Sequence, residues 1–168
     1  MILRNYKPED SEIICRWIKS EEELYKWSAD RINIFPLHGS DLENNYAPHI
    51  RTGRFFPLTA VDDYGRPLGH FFIRFPREDD DSTVRFGFVI VDPEFRGKGC
   101  GKEMLRLGIN YVRDNLHAKR IDLGVFENNP SAKHCYESLG FREYSRRKTV
   151  LPSGVWECAD MELFLTNE

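Results

Sequence analysis

Seven consecutive residues, Arg96-Gly97-Lys98-Gly99-Cys100-Gly101-Lys102, carry the strongest chemical signal in the chain. Glycine has no Cβ, so three alternating glycines let the backbone turn tightly and bring its N–H groups close to an anion. A helical pattern follows at once, which makes these N–H groups the unpaired donors of a helix N-terminus, where the macrodipole favours negative charge. Arg96, Lys98 and Lys102 add formal positive charge at the same place. The ligand chemistry that fits is a pyrophosphate held mainly by main chain. On composition alone, a Gly-rich strand-to-helix connection with no ligand is the competing reading.

The flanking residues supply the elements that would position such a loop. Phe86 to Val91 is an apolar run rich in β-formers and reads as a buried strand, ended by Asp92-Pro93. Met104, Leu105, Gly108, Ile109, Val112 and Leu116 fall at helical spacing and give an amphipathic helix. Spacing also discriminates between phosphate loops. A Walker A loop would put its first glycine on Arg96 and its hydroxyl on Glu103, and a dinucleotide-binding G-x-G-x-x-G counted from Gly97 would put its third glycine on Lys102. Neither fits. Further on, Arg120 to Phe126 reads as a strand, and Asn129-Pro130 as an N-cap followed by a proline at the first helical position. That helix runs through Ala132, Cys135, Tyr136 and Leu139 and stops at Gly140, a usual residue just past a helix end. By itself, Tyr136 reads as a helix tyrosine packed with its hydroxyl at the rim.

The pattern R-G-x-G-x-G after an apolar strand resembles the cofactor loop of the GNAT superfamily of N-acetyltransferases. Members also carry N-x-x-A-x-x-x-Y-x-x-x-G-F after the next strand, and Asn129, Ala132, Tyr136, Gly140 and Phe141 match every fixed position. The resemblance implies a mixed, mostly antiparallel α/β (α+β) sheet of about seven strands with about four helices, splayed where the cofactor binds. It also implies an enzyme that moves acetyl from acetyl-CoA to a primary amine of a small molecule or protein. The same fold with lost turnover, an acyl-CoA sensor, is the alternative. On the resemblance, Arg96, Gly97, Lys98, Gly99, Cys100, Gly101 and Lys102 hold the pyrophosphate. Main chain of Phe88, Val89, Ile90 and Val91 aligns pantetheine and polarises the carbonyl, Asn129 contacts the cofactor, and Tyr136 is the acid for the thiolate. One position departs from the pattern: where many members carry a basic glutamate two residues before the strand glycine, here Gly87, this chain has Arg85. A guanidinium cannot accept a proton. Arg85 is read either as a solvent-facing strand residue or as a cleft residue that favours anionic acceptors.

The remaining chain is consistent with this outline. Met1–Tyr6 reads as a strand, Pro8 to about Lys19 and Glu21–Trp27 as helices, and Ser28–Gly53 as loop-rich with a short helical piece at Asp41–Tyr46. Phe55–Val61 with Leu68–Phe75, and Phe141–Val150 with Val155–Phe164, read as hairpins. The order is β, α, α, β, β, β, α, β, α, β, β, with a parallel pair across the glycine loop. Acceptor choice is assigned by the resemblance to Trp17–Arg54 and Lys148–Trp156. Trp17, Tyr25, Trp27, Phe35 and Tyr46 are candidate pocket walls there, unless they are core. A length of 168 residues suits one domain over 1–168, and a net charge of −3 argues against a nucleic-acid or membrane surface. The acidic run Glu78–Asp81 reads as a solvated connection. Cys15, Cys100, Cys135 and Cys158 show no metal spacing and read as reduced thiols of a cytoplasmic protein, a monomer or homodimer without a metal.

Overall fold

A computed structural model describes residues 1–165. The chain opens with β1 (Ile2–Asn5), and a 3₁₀ turn at Pro8–Asp10 leads into α1 (Ser11–Cys15). That helix ends earlier than its apolar stripe suggests. Trp17 N–H bonds Ile14 C=O at 3.1 Å and Ile18 N–H bonds Cys15 C=O at 3.2 Å, the tightened last turn of a helix end. Ser20 then caps α2 (Glu21–Ser28) by accepting the Glu23 N–H at 3.1 Å.

The segment read as loop-rich holds a full helix, α3 (Gly39–Ile50). Its Asn, Pro and His residues mask a start signal, because Asp41 reaches back to accept the His38 N–H at 2.9 Å. Leu42 and Tyr46 are wholly buried beneath it, and that burial is what overrides the weak local propensity. Among the described residues the fold therefore has five α-helices, one more than expected from sequence.

β2 (Phe55–Val61), β3 (Pro67–Arg74) and β4 (Thr83–Val91) form an antiparallel meander. After the glycine loop come α4 (Cys100–Tyr111), a π-helical turn at Val112–Leu116, and β5 (Arg120–Phe126). α5 (Pro130–Ser138), β6 (Arg142–Leu151) and β7 (Gly154–Phe164) complete the described chain. The sheet order is β1-β2-β3-β4-β5-β7-β6, and every neighbouring pair is antiparallel except β4 with β5. One apolar cluster packs α4 and α5 on one face through Leu58, Phe71, Phe86, Met104, Ile121 and Phe141. A second packs α1, α2 and α3 on the other through Ile14, Leu24, Leu42, Tyr46, Phe72 and Phe88.

Two irregularities of β4 set up everything that follows. Val84 and Phe86 join the α4 side, whereas Phe88 and Ile90, at the same parity, join the α1–α3 side. A regular strand would keep all four on one face. The switch is a β-bulge: from Ile90 to Gly87 β4 takes three steps while β3 takes two, from His70 to Phe72. Phe88 sits at the bulge with φ 52°, a left-handed conformation that costs a non-glycine residue roughly 1–3 kcal/mol. A side chain at Gly87 would run into the Phe72 ring, so glycine is required there. Secondly, β4 pairs with β5 only at Thr83↔Arg120, Val84↔Ile121 and Arg85↔Asp122. Beyond Arg85 the two strands part, and that edge of β4 has no strand beside it.

Candidate functional site

The parting of β4 and β5 opens a cleft of about 650 Å³ between the N-terminus of α4, α5 and the ends of α1 and α2. Gly97 and Gly99 have φ of 72° and 80°, and Gly99 stands as the residue before the first turn of α4. These left-handed angles explain the glycines locally. A Cβ built on either one meets no atom within 4 Å, so the space in front of the helix end is open. The first backbone bond of α4 runs from Glu103 N–H to Gly99 C=O at 3.0 Å, and no side chain caps the helix. The N–H groups of Cys100, Gly101 and Lys102 are thus left without helical acceptors. They face a site that Arg96 and Lys102 also line. This is a cradle suited to a bulky anion.

The sequence-derived candidates are largely brought together. Val89, Ile90, Val91, Arg96, Gly97, Gly99, Cys100, Gly101, Lys102, Asn129 and Tyr136 all border the cleft. Lys98 does not: its ammonium lies 5.5 Å from the Phe95 ring centroid. The Phe88 side chain also leaves the cleft, because the bulge turns it to the α1–α3 face. Arg96 is fixed by its Nε donating to Val91 C=O at 3.1 Å, with Glu23 3.8 Å from its guanidinium. Burial raises the pKa of the Cys100 thiol, with Glu103 and Asp92 adding to the shift, so it stays a neutral thiol.

α5 starts as its local chemistry dictates: Asn129 Oδ1 accepts the Ala132 N–H at 3.4 Å and Pro130 takes the first position. This places Tyr136 in the second turn of the helix, against Phe141 at a centroid distance of 6.0 Å. Its ring is buried and its hydroxyl makes no hydrogen bond among the described residues. Burial, with Cys135 adding, drives the phenol well above its ordinary range. It is therefore a neutral O–H at any working pH, free to donate into the cleft that it lines.

Of the aromatic residues named as pocket walls, Trp17 and Trp27 line the cleft, and sequence reasoning missed only what Trp27 does to β4. Its indole N–H donates to Phe88 C=O at 2.7 Å, buried, and its ring packs tilted against that of Phe88 at a centroid distance of 4.7 Å. Trp27 thus holds the bulge in place from α2, and with Trp17 it lines the cleft. Tyr25 and Tyr46 are core, and Phe35 is exposed. Arg85 is neither solvent-facing nor free. Its two terminal nitrogens lie 3.2 Å from Asp122 and 3.3 Å from Asp160, and Arg147 shares Asp160 at 3.0 Å. No sequence signal could have found these partners, which come from three other strands. Among the described residues no cluster of three or more potential metal ligands occurs, and no helix is long and apolar enough to cross a membrane.

Comparison with known proteins agrees with this geometry. The profile of the acetyltransferase (GNAT) family matches residues 16–141, three quarters of the 168 residues. Mycothiol acetyltransferase of Rhodococcus jostii (strain RHA1) is 29% identical over 147 residues, which cover 82% of this chain and 47% of that protein. Spermine/spermidine N(1)-acetyltransferase of Bacillus subtilis (strain 168) is 37% identical over 71 residues, 40% of this chain and 47% of that one. The matched regions take up less than half the length of these curated relatives. Among solved structures, the spermidine N-acetyltransferase of Vibrio cholerae in complex with CoA and spermine superposes with a TM-score of 0.80 at 20% identity, covering 97% of this chain and 94% of that one. At that identity the likeness concerns the fold.

Proposed function

The chain belongs to the acetyltransferase (GNAT) family, and from that premise we propose that it transfers an acetyl group from acetyl-CoA to a primary amine. The observation that carries the reading is the cleft itself. An uncapped helix N-terminus with open space over Gly97 and Gly99, an unpaired edge of β4 and the unbonded Tyr136 hydroxyl all face one cavity. When bound, acetyl-CoA supplies an activated thioester carbonyl.

The chain's own residues supply the rest. Main-chain N–H groups of Cys100, Gly101 and Lys102, with Arg96 and Lys102 beside them, would hold the pyrophosphate. The edge of β4 from Val89 to Val91 offers backbone donors to an extended pantetheine arm and to a carbonyl that gains negative charge. Tyr136 holds a proton at Oη for the departing thiolate, whose reference pKa of about 8.5 lies below that of the phenol. The raised phenol pKa makes it a weaker acid than free tyrosine. Its service is therefore a hydrogen bond that strengthens as the thiolate forms, rather than proton release ahead of it. β4 carries no carboxylate in place of the glutamate at Arg85, so the amine loses its proton to solvent or to a carboxylate on another element, such as Glu23 at the cleft wall, or arrives neutral. Four free cysteines fit a reducing compartment such as the cytoplasm.

The test is release of free thiol from acetyl-CoA over a panel of primary amines, with the acetylated product confirmed by mass. Thiol release that depends on an amine and on Tyr136 supports the reading. CoA binding with no amine-dependent thiol release across the panel refutes it.

A further inference from the structure

On the α1–α3 face, away from the phosphate loop, lies a second cavity of about 430 Å³. Its apolar wall is the ring series Phe55, Phe72 and Phe88, with successive centroids 4.7 and 5.0 Å apart. Its polar side is Arg31, Arg74, Asn45 and His49. The bulge residue Phe88 joins this cavity to the cleft: it lines the cavity, the next residues of β4 line the cleft, and Trp27 of the cleft packs against its ring.

The charges around this cavity do not balance. Across the sheet, register puts Arg74 directly opposite Arg85, Arg85 opposite Asp122, and Asp122 opposite Glu162. Arg85 and Arg147 are neutralised by Asp122 and Asp160. Arg31 and Arg74 have no carboxylate within 4.0 Å among the described residues. Directly opposed like charges on neighbouring strands destabilise a sheet; Asp122 and Asp160 compensate the Arg85 member of the Arg74–Arg85 pair, and Arg74 is left as the uncompensated one. Desolvation and the neighbouring guanidiniums Arg74, Arg85 and Arg147 all press on Arg31, and Asp30 opposes them less strongly than any of these. Guanidinium keeps its proton regardless. The cavity is therefore a permanently cationic, ring-walled pocket that shares a wall with the acyl-transfer cleft. An anion placed there would relieve the repulsion and make bidentate, charge-assisted hydrogen bonds.

We infer that Arg31 and Arg74 bind an anionic group, a carboxylate or a phosphate, on the acyl acceptor, so that the acceptor is an amine that also carries negative charge and not a polyamine. This rests on the acetyl-transfer reading for the role of the ligand, but not for its binding. Arg85, the position that drew attention in the sequence, acts here as the neutralised neighbour of the site. Polyamines are disfavoured by the same field, since each further ammonium would approach two unpaired guanidiniums.

The experiment uses acceptors matched in pairs, β-alanine with propylamine and O-phosphoethanolamine with ethanolamine, together with spermidine. Expected for the wild type is kcat/KM at least tenfold higher for the anionic member of one pair, and the pair that shows it tells carboxylate from phosphate. Arg31→Gln, whose side chain makes no hydrogen bond or ion pair among the described residues, and Arg74→Gln, which removes an unfavourable opposition, should both fold and should each lower that ratio about tenfold or more. Spermidine or the uncharged partners used as well as the anionic ones, or ratios unmoved in both variants, would overturn the inference. Calorimetric binding of β-alanine and O-phosphoethanolamine to CoA-saturated protein needs no turnover and so separates the two readings. Binding that is lost in the variants while no amine is acetylated keeps the anion site and overturns acetyl transfer. Absence of binding by either compound overturns the anion site whatever the turnover.

Discussion

Replacing Gly99 tests the cofactor cradle without testing the fold. Gly99 holds φ 80° and ψ −1°, and a Cβ there meets no protein atom within 4 Å. Any protein-stability cost is therefore backbone strain alone, roughly 1–2 kcal/mol for an ordinary residue and less for asparagine, which visits this region. For a domain of this size 1 kcal/mol moves Tm by roughly 2–4 °C. Gly99→Asn should thus melt within a few degrees of wild type. Its side chain would nonetheless enter the open space before the unpaired N–H groups of Cys100, Gly101 and Lys102. Displacing an anion from a single charge-assisted bond costs roughly 1.5–3 kcal/mol, and 1.4 kcal/mol is already about tenfold in Kd. Titration calorimetry should therefore show CoA affinity reduced by more than tenfold, with Tm almost unchanged. Gly101→Ala is the control. It sits inside α4, and its Cβ would meet only Val91 Cγ2 at 3.4 Å, so it should gain up to about 1 kcal/mol of stability. Wild-type CoA affinity in Gly99→Asn would refute the assignment of the loop.

Three further outcomes follow from the same geometry. Tyr136→Phe removes a hydroxyl that has no hydrogen-bond partner among the described residues, so Tm and CoA affinity should hold while kcat falls by roughly 10²-fold; an unchanged kcat would leave Tyr136 a packing residue only. Trp27→Phe strands the buried Phe88 carbonyl, so unfolding in urea should show a loss of about 1–3 kcal/mol, and a variant of wild-type stability would mean that the bulge does not depend on this bond. His70 is wholly buried beside Tyr46 Oη at 2.8 Å, and burial, with Asp10 opposing, holds its imidazole down to about 3 against an ordinary 6.5. The folded state then binds fewer protons than the unfolded chain between those values. This contribution is complete above about pH 6.5 and is lost progressively as pH falls toward 3, at up to about 1.4 kcal/mol per unit. Wild type should lose stability more steeply than His70→Gln between about pH 6 and pH 4, and parallel curves would exclude the depressed imidazole.

Local chemistry was enough to read much of this protein from its sequence. The glycine loop, the Asn129-Pro130 helix start, the stop at Gly140 and both hairpins depend on φ restrictions, caps and alternation between near neighbours, and the chain states these directly. That is why β5 and the start of α5 fall where the residues placed them, and why the loop and Tyr136 could be brought to one cleft on the strength of two motifs. α3 was only half legible, because its Asn and Pro residues argue against helix while the burial of Leu42 and Tyr46, which decides the matter, is a tertiary event. The bulge at Phe88 was not legible at all. Nothing in a run of β-formers says that its parity will reverse, and the reversal is fixed by the Phe72 ring over Gly87 and by the Trp27 indole arriving from α2. Arg85 marks the same limit. Its type and position were plain in the sequence, but whether its charge is free depends on Asp122 and Asp160, which strand register brings beside it. Only the assembled fold could reveal that Arg31 and Arg74 lack a carboxylate partner among the described residues, because neutralisation is a property of distances between residues far apart in the chain.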